Sequence, residues 1–127
     1  SGKTCAALLV ADRAGAACYT DFATLCDWNR MAQQGTLEYS SGHPKTPIEL
    51  WREWTNANVG ILDELGLREK CSDFQYETLK RAIDAREGKP CVFVSNLTID
   101  ELAKVYDDRI AARLAEGTVL TMRVPYE

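Results

Sequence analysis

The stretch Val59-Gly60-Ile61-Leu62-Asp63-Glu64 decides the fold of this chain. Its first four residues form a continuous apolar run, which is typical of a strand buried on both faces. Two acidic residues follow at once, so the predicted strand ends in Asp63 and Glu64. Strands of this kind occur in parallel sheets that helices cover. The stretch therefore predicts an α/β domain with carboxylates at the carboxyl edge of its sheet.

Helical and strand-like patterns alternate on both sides of this stretch. We predict helices at about residues 3–13, 21–35, 73–86 and 98–115, a further helix that begins at Thr46-Pro47, and strands at about 16–20, 59–62, 91–95 and 118–123. The Ser-, Gly- and Pro-rich residues 39–47 are predicted to form a loop. Such alternation predicts one domain, with a parallel sheet between helices on both faces.

Composition restricts the function only loosely. The 127 residues carry a net charge of −4, so a nucleic-acid surface would have to be a local basic patch. Five cysteines without CxxC spacing indicate a reducing compartment, and we expect the cytoplasm. The apolar runs are shorter than the roughly 18 residues of a membrane span, so we expect no membrane association. His43 lacks neighbouring ligands, which makes a zinc site improbable.

The residues Ser1-Gly2-Lys3-Thr4 match the second half of the pattern GxxxxGK[ST]. In that pattern backbone N–H groups surround phosphates, the lysine reaches the β- and γ-phosphates, and the hydroxyl binds Mg²⁺. The same four residues also occur by chance at an ordinary helix start. The acidic pair at the end of the buried strand favours the phosphate-binding interpretation.

The acidic pair allows two roles to be divided. Adjacent residues of an extended chain point in opposite directions, so Asp63 can hold the magnesium shell while Glu64 deprotonates the attacking water. The alternative is a solvated pair of acids at a strand end. Asn96 closes the next strand, where its amide could position the water, or could simply form an Asx turn.

Two arginines on the last predicted helix suggest a contact between subunits. Arg109 and Arg113 are four residues apart, so they share one helix face and could reach a neighbour's ATP. An arginine supplied in this way stabilises transition-state charge. The alternative is ion pairing within the chain, with Asp107, Asp108 or Glu116 as partners.

Taken together, these motifs resemble the bacterial replicative-helicase loaders of the DnaC/DnaI type, which are AAA+ ATPases. The resemblance rests on SGKT, ILDELG at 61–66, the helix with Tyr76-Glu77, VSN at 94–96 and DDRIAARL at 107–114, and their order and spacing match. It covers nearly the whole chain. The transposition helper ATPases of the IstB type share this layout.

The resemblance implies a role for each matching residue. By this resemblance Lys3 and Thr4 look like the Walker A pair, and Asp63 and Glu64 look like Walker B. Asn96 looks like the sensor 1 residue. Arg113 looks like the arginine finger, with Arg109 as its companion. Ser1, Gly2 and Cys5 complete the implied nucleotide-binding residues. Tyr76 matches an aromatic that contacts single-stranded DNA, and Lys80 and Arg81 lie near it. The alternative for Tyr76 is a partly buried packing residue.

The implied protein is a magnesium-dependent ATPase with a three-layer α/β/α AAA+ core. As a helicase loader it would bind ATP, Mg²⁺, single-stranded DNA and a DnaB-type replicative helicase, and would assemble with like subunits or a ring. An IstB-like transposition helper and a nucleotide-binding adaptor that never hydrolyses ATP stay open as alternatives. Two parts of the family's pattern fall outside residues 1–127: we expect the first strand and the front glycine of the phosphate loop upstream of Ser1, and no sensor 2 arginine can be assigned before Glu127.

Overall fold

In a computed structural model, residues 3, 7, 9, 15–66, 70–117 and 119 are described. Three strands and five helices have defined bounds within these residues. In chain order they are β1 (Ala17–Asp21), α1 (Phe22–Gln34), α2 (Pro47–Asn56), β2 (Val59–Leu65), α3 (Asp73–Ala85), β3 (Cys91–Ser95), α4 (Ile99–Val105) and α5 (Asp108–Leu114). Lys3, Ala7 and Leu9 are also helical. The alternation predicted from the sequence is therefore confirmed through α3 and β3.

The three strands form a parallel sheet in the order β1-β2-β3. Asp21 is in register with Asp63 across the first pair, and Leu65 with Ser95 across the second. The strands consequently end at one common edge. Parallel sheets bind ligands outside the carboxyl ends of their strands, so this edge is where a site is expected.

Apolar side chains cover both faces of the sheet. The larger core lies on one face and joins Leu62 and Leu65 of β2 to all five helices, including both Trp51 and Trp54 of α2. On the opposite face Ala7 packs with Val59 and Ile61. The N-terminal helical residues thus lie on the other side of the sheet, and the layers follow the predicted α/β/α arrangement.

Local capping explains where most helices begin. Thr46, Ser72 and Thr98 each accept a hydrogen bond from the backbone of the third helical residue, whose own side chain returns the bond. This capping box satisfies two backbone donors that a helix start otherwise leaves unpaired. Asp21 caps α1 through Thr24, and Gly35 ends that helix with a positive φ of 75°.

The prediction of one continuous helix at about residues 98–115 was wrong. The structure has two short helices, α4 and α5, with a break at Tyr106 and Asp107. Tyr106 has non-helical angles, and the Asp107 carboxylate accepts from the Ile110 N–H at 2.8 Å, which starts a new helix. Aspartate competes with the helical backbone for its hydrogen bonds, so it favours such a start over a helix interior. The strand predicted at 118–123 lies outside the described residues, apart from the exposed Val119.

A buried arginine fastens α2 and α3 to the sheet. Arg86 is 2% exposed, and its guanidinium donates to the carbonyl oxygens of Trp54, Thr55, Ala57 and Pro90. A Cβ on Gly60 would lie 2.6 Å from Cδ of Arg86. Glycine is therefore required at this position of β2, because no other residue leaves room for the arginine.

Every helix within the described residues is too short and too polar to cross a membrane. The cysteines Cys18, Cys26, Cys71 and Cys91 are all free thiols. Burial is the main cause that raises the pKa of each, to about 11 for Cys26 and Cys91. Protonated thiols of this kind are poor nucleophiles, and Cys18, Cys26 and Cys91 pack in the main core.

Candidate nucleotide-binding site

Lys3 and Asn96 meet at the carboxyl edge of the sheet. The Lys3 ammonium donates to Oδ1 of Asn96 over 3.3 Å, although the two residues are 93 positions apart in the chain. Asn96 follows directly on β3, and β3 pairs with β2, which carries Asp63 and Glu64 near its end. The structure therefore brings the predicted phosphate-binding lysine onto the strand end where the predicted water-positioning amide lies.

The acidic pair lies in a β-bulge. Leu62 pairs with Phe93 and Leu65 pairs with Ser95. Two residues of β2 therefore lie between these pairs, opposite a single residue of β3. The extra residue returns Leu65 to the main core, on the same face as Leu62. Bulges re-aim side chains next to functional sites, and this one turns Glu64 outward.

The two acidic side chains separate as predicted, but the expected reason was wrong. Asp63 is 3% exposed, whereas Glu64 is exposed to solvent. Glu64 is not extended: its φ is 57°, in the left-handed region that costs a non-glycine residue about 1–3 kcal/mol. Backbone strain of this size is typical of functional positions. Glu64 therefore points outward because it lies in a bulge, and not because side chains alternate along an extended strand.

Both carboxylate oxygens of Asp63 have hydrogen-bond donors. Oδ1 accepts from the Glu64 backbone N–H at 2.8 Å, and Oδ2 accepts from the Tyr19 hydroxyl at 2.6 Å. The hydrogen bond to Asp63 is the main cause that raises the pKa of Tyr19 to about 12, so the phenol keeps its proton and remains a donor. Sequence reasoning missed Tyr19. Its position, two residues before the one that pairs with Asp63, follows from the register of β1 on β2 and not from a sequence motif.

The residues at this edge suit a nucleotide triphosphate with Mg²⁺. An ammonium group suits phosphate, and an amide and carboxylates suit water and a hard cation. Within the described residues no group of three His, Cys, Asp or Glu side chains could hold a metal by itself. Mg²⁺ is usually bound by one or two carboxylates together with substrate phosphates. Ser1, Gly2, Thr4 and Cys5, the other predicted nucleotide ligands, lie outside the described residues.

The two candidate arginines on α5 differ in their surroundings. Arg109 is exposed. Arg113 forms an ion pair with Asp84 of α3, with 2.7 Å between Nη1 and Oδ1. Asp84 was not among the three acids that the sequence suggested as partners. The side chains are 30% and 49% exposed, so the pair lies at the surface and contributes at most about 1 kcal/mol to stability.

Tyr76 is half-buried against the main core, and its hydroxyl donates to Oδ2 of Asp107 at 2.5 Å. This contact is the main cause that lowers the pKa of Asp107 and also raises the pKa of Tyr76. Lys80, one turn further along α3, is exposed and lines a shallow groove between α1 and α3. Arg81 lies over the ring of Trp51, 4.7 Å from its centre. Tyr76 therefore packs against the core and stays partly exposed.

Comparisons with known proteins bear on the fold. No family model matches the sequence, and no curated protein matches it. Among solved structures, the AMPPCP-bound DnaA from Aquifex aeolicus is similar, with a TM-score of 0.64 and 14% sequence identity. The match covers 87% of this chain and 32% of that one. The chain has an AAA+-type P-loop NTPase fold.

This AAA+ fold is the one predicted from the sequence. The chain spans about a third of the length of the solved structure that it matches. At 14% identity the similarity concerns the backbone arrangement and assigns no residue a role. The roles of Lys3, Asp63, Glu64 and Asn96 therefore stay predictions, which rest on the geometry described above.

Proposed function

We propose that this protein binds and hydrolyses ATP with Mg²⁺ and acts in DNA replication as a helicase loader that binds single-stranded DNA. The observation that carries the proposal is the 3.3 Å contact between Lys3 and Asn96, at the edge where Asp63 and Glu64 end the adjacent strand. The fold shared with a nucleotide-bound DnaA supports a replication-related ATPase.

Each residue has a distinct task in the proposed reaction. Lys3, with Ser1, Gly2, Thr4 and Cys5, would hold the triphosphate, and Thr4 and Asp63 would hold Mg²⁺. When bound, the metal neutralises charge on the phosphates. Glu64 takes a proton from water on the exposed side of the bulge, and the Asn96 amide orients that water. Arg113 and Arg109 would supply positive charge to a neighbouring subunit's nucleotide.

The partners follow from the same proposal. Identical subunits, or a ring of them, would supply the arginine contact. The protein partner would be a DnaB-type helicase, and the compartment would be the cytoplasm. Tyr76 would stack on a base of single-stranded DNA, with Lys80 near the backbone phosphates. Base–aromatic stacking contributes about 1–3 kcal/mol and is independent of sequence. An IstB-like partner would instead be a transposase, and co-purification tells the two apart.

The test of the catalytic assignment is Glu64→Gln. This variant should bind ATP as the wild type does, because Glu64 holds neither phosphate nor metal, and it should lose hydrolysis. General-base catalysis contributes typically 10²–10⁴-fold, so turnover should fall by at least about a hundredfold. Binding is measured by calorimetry and turnover by phosphate release, with and without single-stranded DNA. Glu38→Gln, the same change in the exposed loop after α1, is the control.

Three outcomes would change the proposal. Wild-type turnover in Glu64→Gln removes Glu64 from the mechanism. ATP binding without phosphate release in the wild type, with DNA present or absent, favours the non-hydrolysing adaptor. Failure of the wild type to bind ATP at all overturns the nucleotide-binding function itself.

A further inference from the structure

Tyr19 and Asp63 lie on the same face of the sheet. Tyr19 pairs in register with Ile61 across β1 and β2, and Asp63 is two residues beyond Ile61. Side chains two apart on a strand share a face, roughly 6.6 Å apart along the chain. The Tyr19 phenol extends toward the carboxyl edge and donates to Asp63 Oδ2 at 2.6 Å.

This hydrogen bond contributes to holding the Asp63 carboxylate in place. The other oxygen of Asp63 accepts from the Glu64 N–H at 2.8 Å. Each carboxylate oxygen has about two lone-pair sites, so an oxygen that accepts from a protein donor can also accept from water bound to a metal. Donors on both oxygens restrict the rotation of the carboxylate plane. Partners of this kind orient a metal ligand without touching the metal.

We propose that Tyr19 is a positioning residue for the metal-binding carboxylate, acting through Asp63. The proposal rests on the proposed function, since it assumes that Asp63 holds Mg²⁺ beside a nucleotide. The hydroxyl is not needed to join the strands. The β1–β2 pairing runs from Ala17 to Asp21 through the backbone, and Tyr19 is 38% exposed. Removing the hydroxyl therefore acts on the carboxylate rather than on the fold.

The test is Tyr19→Phe, which deletes one oxygen and keeps the ring. Mn²⁺ replaces Mg²⁺ as the probe, and its binding to the protein with a non-hydrolysable ATP analogue is measured by electron paramagnetic resonance. Loss of a partner that orients a metal ligand typically weakens metal binding 10–100-fold, and we expect a change of about that size. Affinity for the nucleotide without metal should stay at the wild-type value.

A matched control is available in the same chain. The Tyr39 hydroxyl donates to Glu49 at 2.9 Å, so Tyr39→Phe deletes the same kind of bond to a carboxylate at another place. It should leave Mn²⁺ affinity unchanged. The metal-free nucleotide affinity also serves as a folding check, because a smaller folded fraction lowers nucleotide and metal binding together.

The outcomes separate the two proposals. Wild-type Mn²⁺ affinity in Tyr19→Phe overturns the role of Tyr19 and leaves the proposed function intact. Equal losses of metal and metal-free nucleotide binding assign the hydroxyl to stability and also overturn the role. A wild type that binds no Mn²⁺ with nucleotide overturns the proposed function, and the role of Tyr19 with it.

Discussion

Nη1 of Arg113 lies 2.7 Å from Oδ1 of Asp84, so the predicted arginine finger is held by an acid of its own chain. The pair joins α5 to α3 at the surface. A surface pair of this kind is weak, and a triphosphate on a neighbouring subunit could replace Asp84 as the partner. The ion pair is compatible both with a contact to a neighbour's nucleotide and with a purely structural role of Arg113. The two interpretations predict different effects of replacing Arg113 and of replacing Asp84.

Arg113→Ala should lower turnover by about 10³-fold or more if the arginine acts on a neighbouring nucleotide, with ATP binding unchanged. Asp84→Ala removes the same ion pair and should keep turnover near the wild-type value. Phosphate release in both variants, at concentrations that allow assembly, is the measurement. Full activity of Arg113→Ala, or equal losses in both variants, would contradict a role between subunits.

Lys3 and Asn96 should have separable effects although they touch. Lys3→Ala removes a charge-assisted contact to phosphate, which is worth about 1.5–3 kcal/mol, so ATP affinity should fall roughly 10–100-fold. Asn96→Ala should retain ATP binding and lose turnover, because its predicted role concerns only water. Calorimetric titration and phosphate release measure the two effects. Unchanged ATP affinity in Lys3→Ala would remove the lysine from the site.

Tyr76 can be tested by separating its ring from its hydroxyl. Tyr76→Phe keeps the ring, so it should keep affinity for single-stranded DNA. Tyr76→Ala removes the ring and should weaken binding by about 1–3 kcal/mol. Fluorescence anisotropy with a labelled oligonucleotide gives both values, and Tyr39→Ala is a control at a distant tyrosine. If Tyr76→Ala binds DNA as the wild type does, the tyrosine is a packing residue only.

The pair of Tyr76 and Asp107 should make stability depend on pH. The hydroxyl of Tyr76 is the main cause that lowers the pKa of Asp107, and the Ile110 N–H is the second. A lowered carboxyl pKa stabilises the fold above the unfolded value of about 3.9, and this contribution disappears as pH falls through the folded pKa. Urea unfolding should show Tyr76→Phe less stable than wild type at pH 7, with a smaller difference at pH 3. Equal differences at both pH values would contradict this.

Gly60 should be intolerant of a single methyl group. Gly60→Ala places a carbon 2.6 Å from Arg86 Cδ and 2.9 Å from Trp54 Cη2. Overpacking of this kind costs about 1–3 kcal/mol, and displacing Arg86 would also leave carbonyl oxygens unpaired. Denaturant unfolding measures the loss. Gly117→Ala, which meets nothing within 4 Å, is the control and should change stability little.

The sequence predicted most of the fold because its signals were local. Thr46-Pro47 starts a helix, and the apolar run before Asp63 forms the buried strand. The left-handed angle of Glu64 was not predictable in this way, since it depends on how β2 pairs with β3. The contact of Tyr19 with Asp63 joins residues 44 positions apart and depends on the register between β1 and β2. The break between α4 and α5 did have a local signal, because Asp107 caps the second helix. The helical spacing of apolar residues over 98–115 favoured one continuous helix and led to the wrong prediction.

The break between α4 and α5 has a consequence for the predicted arginine contact. Tyr106 accepts from the Gly66 N–H just beyond β2, and Asp107 is held by Tyr76 of α3. A seven-residue helix is too short to be stable alone, so its direction depends on these anchors. An uninterrupted helix would have carried Arg109 and Arg113 along a different axis. The direction of α5, and with it that of Arg109 and Arg113, thus depends on a two-residue corner that is bonded to the residue after β2.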